Sequence, residues 1–248
     1  VLQPPQWTGL DNYIRLFRDP YVRASLKNTV VFTVITVPLQ TAGSLVLAAV
    51  IAELFHKKFG NFVKSSLFVP VIASAILVGT LWFTLLSPRG VVNSIINVFG
   101  LPSVNWLGGK LTSMLSVCIV SVWKNVGYFL VIYFAGIMDI PRSLYEAAEV
   151  DGANAFQRFF KITLPGLSSV TFLVVTLGTI WSFQVFDLVY TMTGGGPGTS
   201  TVTLVLTTYN AAFKEYNMGY ASAVAMLMFV FVLAVSGLQK LLLKGGED

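Results

Sequence analysis

Long apolar runs, separated by short polar segments, dominate the chain. Four of these runs contain no Asp, Glu, Lys or Arg, and a fifth is interrupted by Lys124 alone. Each run exceeds the roughly 20 residues that a helix needs to cross a hydrocarbon core. The pattern therefore predicts an all-α membrane protein, a polytopic bundle of five transmembrane helices in this chain. The predicted spans are residues 28–52, 65–88, 111–138, 162–186 and 216–239.

Composition supports this class and excludes others. Hydrophobic residues make up 55% of the chain and charged residues only 11%, well below the share of charge in a soluble domain. Cys118 is the only cysteine and His56 the only histidine, so we expect no metal site. The basic residues flank the apolar runs and do not form a stripe with interleaved aromatics, so we expect no nucleic-acid partner.

The distribution of Lys and Arg predicts the orientation. Loops 54–66 and 139–169 and the C-terminal tail carry eight of them, and loops 87–112 and 191–220 carry three. Positive loops lie in the cytoplasm, so loop 139–169 should be cytoplasmic. The predicted organisation is an extracytoplasmic interfacial segment 1–27, a transmembrane domain 28–243 that includes a polar cytoplasmic loop at 141–165, and a cytoplasmic tail 244–248.

The N-terminal segment complicates that orientation. It holds four basic residues although the count places it outside. The chain begins at Val1 and shows no signal-peptide layout, so we expect it to lack at least one N-terminal helix, which would have helped to set the topology. Residues 8–18 predict a short amphipathic helix at the membrane surface, with Thr8 and Asp11 spaced as a capping box. Leu10, Ile14 and Phe17 fall on its apolar face, and residues 93–99 look similar.

A polar segment, residues 141–165, stands out in the second positive loop. Ser143 and Glu146 have the spacing of a capping box, which predicts a helix from Leu144, and Gly152 would end it. A second helix is predicted from Asn154 to Pro165. We expect Gln157, Arg158 and Lys161 to face water on this helix, and Phe156, Phe159, Phe160 and Thr163 to be buried.

This polar segment (residues 141–165, the coupling segment) resembles a known sequence motif. Glu146-Ala147-Ala148, then Gly152, then Ile162-x-Leu164-Pro165 matches the EAA loop of the permease subunits of binding-protein-dependent ABC importers. The carbohydrate-uptake branch, the maltose and glycerol-phosphate type, is similar over nearly the whole chain. The resemblance is carried by "GLDNYIRLFRDP" (9–20), "NTVVFTVITVPL" (28–39), "FVPVIAS" (68–74), "FDLVYTMTGGGP" (186–197) and "GYASAVAM" (219–226).

The resemblance implies a non-catalytic translocation subunit in a bacterial or archaeal cytoplasmic membrane. It implies as partners a second homologous permease, two cytoplasmic ATPase subunits, an extracytoplasmic substrate-binding protein and a carbohydrate. ATP and Mg would be used by the ATPases, with no cofactor bound by this chain. The residues implied in ATPase coupling are Glu146, Ala147, Ala148, Asp151, Gly152, Ile162, Leu164 and Pro165, with Glu146 as the principal polar contact.

No segment matches the phosphate-binding loop G-x-x-x-x-G-K-[ST], so ATP hydrolysis should take place elsewhere. A sugar pathway needs hydrogen-bonding groups and aromatic faces. The candidate pathway residues are Asn125, Tyr128, Gln184, Asp187 and Tyr190, with Trp181 a weaker one. Lys124 should face the bundle interior or water.

Other interpretations of the sequence stay open. "TGGGPGTST" (193–201) fits either a flexible turn or, by the resemblance, the mouth of the pathway or a contact with the binding protein. An ion-coupled secondary transporter is the alternative function, and it would be expected to carry acids deep in its spans. A membrane scaffold would explain the coupling segment but not the polar residues inside the spans.

Overall fold

The computed structural model describes residues 6–54 and 57–244, and these residues form helices joined by turns. Two helical segments are π-helices, Phe159–Thr163 and Asn210–Lys214. The α-helices are α1 Asp11–Arg18, α2 Pro20–Leu54, α3 Lys57–Ile72, α4 Ala75–Leu85, α5 Val91–Val98, α6 Lys110–Asp139, α7 Arg142–Val150, α8 Ala155–Arg158, α9 Leu164–Gly166, α10 Ser168–Phe183, α11 Asp187–Met192, α12 Leu204–Tyr209 and α13 Met218–Lys244. The predicted all-α class is confirmed.

Within the described residues, three single helices are long and apolar enough to cross a membrane: 20–53, 110–139 and 218–241. Two further candidates are bent pairs, 58–72 with 75–85 at 96° and 155–166 with 168–183 at 69°. The five predicted spans are therefore present when each bent pair counts as one. The bends lie inside runs that the sequence predicts as continuous. Pro165, which lacks a backbone N–H, precedes the second bend by two residues.

The first long helix starts earlier than the apolar run. Helix α2 begins at Pro20, and the carboxylate of Asp19 accepts a hydrogen bond from the Tyr21 N–H at 2.8 Å. Proline suits the first turn of a helix, and an aspartate before it satisfies a free amide. Asp19-Pro20 thus lies between the two helices and starts α2 eight residues before the predicted span.

The core forms where α2 packs along α6 and α10. Glycines permit the closest approaches: a Cβ on Gly127 of α6 would overlap the backbone of Leu67 in α3, and a Cβ on Gly178 of α10 would overlap the Gln40 amide of α2. Small residues serve this purpose between membrane helices. Helices α2, α6 and α10 are therefore held as one packed unit.

Contacts with the two ends of α2 show which loops lie at each end of the helical bundle. At one end, the Asn28 amide donates to the carbonyl oxygens of Thr199 and Val202, which places the start of α2 beside loop 191–220. At the other end, Arg158 binds Glu53, which places the end of α2 beside the coupling segment. We call these the Asn28 end and the Glu53 end. Val92 and Trp106 of loop 87–112 pack in one cluster with Leu206 of loop 191–220, which places loop 87–112 at the Asn28 end as well.

Helix α1 lies at the Asn28 end. The expected Thr8–Asp11 capping box does not form, because α1 has no side-chain cap and the Asp11 N–H is bound by the Thr8 carbonyl. Leu16 is buried in a cluster with α12 and α13. The predicted apolar face is exposed, as expected for a helix at a membrane surface; it comprises Leu10, Ile14 and Phe17.

Candidate functional site

The coupling segment forms two helices around a tight corner, as predicted. Its first helix, α7, begins at Arg142 with Pro141 at the cap position and no side-chain cap. The expected capping box between Ser143 and Glu146 is therefore wrong. Since α7 starts two residues before Leu144, Ser143 lies inside the first turn, where its hydroxyl does not cap the helix.

Gly152 forms the corner. Its φ is +75°, a value that L side chains rarely adopt. The Gly152 N–H binds the Glu149 carbonyl at 3.0 Å and the Ala153 N–H binds the Ala148 carbonyl at 2.8 Å, which is the Schellman pattern of helix termination. The prediction that Gly152 ends the first helix is confirmed.

Asn154 starts the second helix, also as predicted. Its side chain accepts from the Gln157 N–H at 2.9 Å, and the Gln157 side chain accepts from the Asn154 N–H at 2.9 Å. This capping box leads into α8, the π-helix and α9. The π-helix ends just before Leu164-Pro165, so the backbone widens next to the proline.

Burial along this second helix differs from the prediction. Thr163 is buried and Phe159 is partly buried, but Phe156 is 71% exposed and Phe160 is 48% exposed. The two exposed rings pack on each other with centroids 4.6 Å apart. Among the residues that the structure describes, none covers these two rings fully.

The coupling residues divide into an exposed set and an anchoring set. Glu146, Ala147, Asp151 and Pro165 are exposed, and Ala148 is half-buried. Ile162 and Leu164 pack against the core cluster that includes Leu167 and Tyr133. The Tyr145 hydroxyl is 2.9 Å from the Thr163 hydroxyl, which joins α7 to the second helix. The segment thus presents one face and is anchored by the other.

Arg158 does not face water, contrary to expectation. Its side chain is only 15% exposed and forms ion pairs with Glu53 of α2 and, at 2.8 Å, with Glu149 of α7. Both ion pairs of the described residues involve this arginine. It lies beside a cavity of about 680 Å³ between α2 and the coupling segment. Glu53, at the end of an apolar run 105 residues away, was not a sequence candidate.

The candidate pathway residues fall into two groups. In the first, Tyr128 of α6 lies against Trp181 of α10, with centroids 4.8 Å apart, and the Phe129 ring is 5.4 Å from the same tryptophan. Asn125, one turn before Tyr128, is half-buried and its amide is 3.5 Å from the Ser121 hydroxyl. This group lies where α6 and α10 meet.

The second group is a row of four rings towards the Asn28 end. Phe186 stacks on Tyr190 at 5.2 Å and lies 5.0 Å from Tyr209, whose ring is 5.3 Å from Phe213. The Lys214 ammonium is 5.8 Å from the centroid of Tyr190. Sequence reasoning identified only Tyr190 here, because the other rings come from a helix break and from a loop helix.

Gln184, Val185 and Phe186 form that break, between α10 and α11. Gln184 is exposed, and Asp187 is exposed at the first position of α11. Lys124 is half-buried, and its ammonium is 3.4 Å from the Val71 carbonyl oxygen. Discontinuous helices of this kind bring polar backbone and side chains into transport pathways.

The glycine-rich segment 193–201 is an ordered turn. The Thr193 and Thr201 hydroxyls are 2.7 Å apart, and Thr201 also donates to the Gly196 carbonyl. Thr201 is fully buried. The turn is fixed by these bonds, and a Cβ on Gly195 would lie 2.8 Å from Val202.

Comparison with known proteins identifies the class. Residues 29–245 match the family described as "Binding-protein-dependent transport system inner membrane component". The chain belongs to this family and is a multi-pass permease subunit of an ABC importer. The family assignment decides against the ion-coupled secondary transporter.

Three individual relatives show which kinds of permease this chain is similar to. The chain is 38% identical to the probable ABC transporter permease protein YurN of Bacillus subtilis, over 97% of this chain and 83% of that protein. It is 36% identical to the sulfoquinovosyl glycerol transport system permease protein SmoG of Agrobacterium fabrum, over 94% and 75%. It is 34% identical to the trehalose/maltose transport system permease protein MalF of Thermococcus litoralis, over 92% and 77%.

A solved structure has the same fold. The chain superposes with a TM-score of 0.86 and 25% identity on a subunit of a bacterial alginate ABC transporter determined in complex with an alginate pentasaccharide-bound periplasmic protein. The match covers 94% of this chain and 81% of that one. Of the three relatives, SmoG and MalF are named as permeases of sulfoquinovosyl glycerol and trehalose/maltose transport systems.

Proposed function

We propose that this permease forms half of the pathway for a carbohydrate, or a related polyol or glycerol phosphate, and is driven by two ATPase subunits that bind the coupling segment. A second homologous permease forms the other half, and an extracytoplasmic binding protein delivers the substrate. ATP and Mg are used by the ATPases. The Glu53 end then faces the cytoplasm of a bacterial or archaeal cell.

The main support for this proposal is that the coupling segment presents an exposed helix, α7, in a fixed direction. Helix α7 exposes Glu146 and Ala147, and the Gly152 corner and the Asn154 cap fix its direction. A small side chain lets a partner's backbone approach closely, and the adjacent carboxylate offers a charged contact. A rigid, exposed helix of this kind suits a groove on a partner subunit.

The exposure of the candidate pathway residues is an argument that a second permease packs beside this chain. Gln184, Asp187 and part of Tyr190 are exposed on the isolated chain. A carboxylate and an amide are costly against lipid and belong beside protein or water. A second permease covering this face would enclose a polar channel between the two chains.

The candidate pathway residues also have side chains that suit a sugar substrate. Aromatic faces at Trp181 and Tyr190 provide stacking area for pyranose rings, and amides at Asn125 and Gln184 replace hydrogen bonds to water. Relatives named for maltose, sulfoquinovosyl glycerol and glycerol phosphate transport support this substrate class. Uptake assays with radiolabelled neutral oligosaccharides and with glycerol 3-phosphate would separate the two chemistries.

The test of the assembly is to purify the tagged chain from its host membranes and identify the associated proteins by mass spectrometry. Ala147→Trp places a bulky side chain on the exposed face of α7, and Val98→Trp makes the same addition at an 84% exposed position at the Asn28 end. We expect an ATPase subunit and a second permease with the parent and with Val98→Trp. Ala147→Trp should lose only the ATPase. Recovery of the parent without an ATPase, from cells that retain uptake, would overturn the proposal.

A further inference from the structure

We propose that Arg158 is a positioning residue: it links the coupling segment to transmembrane helix α2 through Glu53, so that movement of α7 reaches the pathway. The inference rests on the proposed function and assigns a role to two residues outside the coupling motif. Glu53 and Arg158 are 105 residues apart in sequence and come together only in the fold.

The guanidinium group is well placed to join three elements. Its Nη2 donates to Glu53 Oε1 of α2, and its Nη1 donates to Glu149 Oε1 of α7 at 2.8 Å. Arg158 itself belongs to α8. The planar fork of an arginine holds two carboxylates in a fixed relative direction, which a lysine does with less precision.

The coupling segment and α2 contribute side chains to the same apolar cluster. Beside that cluster lies a cavity of about 680 Å³, with walls formed by Val46 and Val50 of α2 and by Phe156 and Phe160 of the coupling segment. The contact between Arg158 and Glu53 bridges these walls. A polar link across a cavity transmits displacement from one wall to the other while leaving space for the walls to move.

Helix α2 is in turn connected to the pathway. The Thr36 hydroxyl lies 3.1 Å from the Ser182 hydroxyl of α10, and Gln40 packs against Gly178 of the same helix. Trp181 precedes Ser182 in α10, and Gln184 lies just past the end of this helix. A shift of α2 is therefore passed to the helix that carries Trp181 and leads into Gln184.

The positioning role and a purely structural one give different results. Glu53 is 43% exposed and Glu149 is 60% exposed, and ion pairs with solvent-exposed partners contribute only about 0–1 kcal/mol to stability. A structural role would thus change folding slightly and transport not at all. A positioning role changes the amount of substrate carried per ATP hydrolysed, with the ATPase still bound.

The experiment uses the complete importer in proteoliposomes, with Glu53→Gln, Arg158→Met and the double variant. Uptake and binding-protein-stimulated ATP hydrolysis are measured together, and retention of the ATPase subunit is checked by co-purification. We expect each single variant to lower uptake per ATP about fivefold, and the double variant to be no worse than Arg158→Met, since that change alone already removes the contact with Glu53. Arg158→Lys should restore part of the ratio.

Lys161→Met is the matched control, because it removes an exposed cation three residues further along the same segment. Its ratio should equal that of the parent. Three results would each overturn the inference. The first is a parental ratio of uptake to ATP hydrolysis in Glu53→Gln and Arg158→Met, the second is additive losses in the double variant, and the third is an equal loss in Lys161→Met. Absence of the ATPase from the parent complex would instead contradict the proposed function, so the two failures are distinguishable.

Discussion

The two ends of the bundle solve different problems with different chemistry. At the Glu53 end, α7 is exposed and charged, and its direction is fixed by a glycine corner, an asparagine cap and the ion pairs of Arg158. At the Asn28 end, helices are interrupted, and a row of aromatic rings lies beside the Lys214 ammonium and near the exposed Gln184 and Asp187. Helix caps and ion pairs define the first end, and stacked rings define the second.

The difference follows from what each end is proposed to bind. A partner protein that pushes on a helix needs that helix to be stiff, so local hydrogen bonds hold it. A substrate that must also leave needs many weak contacts and no deep ionic trap, so aromatic faces and amides suffice. The following variants test this contrast, from the largest expected effect to the smallest.

Gly152→Pro should have the largest effect. Proline fixes φ near −65°, whereas Gly152 has φ of +75°, and it removes the N–H that binds the Glu149 carbonyl. We expect uptake to fall about tenfold or more, with loss of the ATPase subunit from the purified complex.

Gly100→Pro is its matched control at the Asn28 end. Gly100 has φ of +73°, also lies after a helix, and has open space around it, as Gly152 has. This variant should retain the ATPase subunit. If both prolines release the ATPase, the effect is general unfolding and the contrast between the ends fails.

Asn93→Leu tests how the Asn28 end is held. The Asn93 side chain is 1% exposed, donates to the Val104 carbonyl at 3.0 Å, and accepts from the Val104 N–H and from Trp106 Nε1. Leaving these buried groups unpaired should lower the free energy of unfolding by about 1–3 kcal/mol. Thermal unfolding in detergent measures the change. Asn97→Leu, exposed on the same helix, should have little effect; equal losses would show that Asn93 has no special role.

Tyr190→Ala tests the aromatic row. Removing a ring that stacks on Phe186 at 5.2 Å should raise the KM for uptake about two- to tenfold, since aromatic contacts contribute about 0.5–1.5 kcal/mol. ATPase retention should be unchanged. The control is Phe99→Ala, which removes a 77% exposed ring at the same end. An equal rise in KM for this variant would show that the aromatic row is not part of the pathway.

Asn154→Ala should have the smallest effect. It deletes the acceptor for the Gln157 N–H and destabilises the start of the second helix by about 1 kcal/mol. Uptake should fall about twofold with the ATPase retained. Gln157→Ala, which removes the reciprocal bond, should behave alike. A loss as large as that of Gly152→Pro would show that the cap, and not the corner, sets the direction of α7.

Much of this architecture follows from local sequence. The apolar runs predict the class because a membrane span requires them, and Gly152 and Asn154 predict the corner and cap because few residues suit those positions. The bends next to Ser74 and Leu167 were not predicted, since tertiary packing decides whether an apolar run stays straight. Ser143 failed as a cap because α7 starts at Arg142.

The contacts that the sequence did not predict were missed for one reason: they join different elements of the fold. Glu53 meets Arg158, and Phe186 meets Tyr209, only through folding over long sequence separations. Asn93 gave a weak signal, an amide within an apolar loop helix, but its partners lie 11 and 13 residues on. Periodicity describes single elements and does not specify which elements meet.

The central claim is that α7 binds the ATPase, and site-specific cross-linking tests it most directly. Cys118, the only cysteine, is fully buried, so a cysteine at an exposed position can be labelled selectively. In the assembled importer, Ala147→Cys and Val98→Cys are each labelled with a photoactivatable maleimide and irradiated. We predict an adduct with the ATPase subunit from position 147 and none from position 98. An ATPase adduct from position 98, with none from 147, would contradict the account.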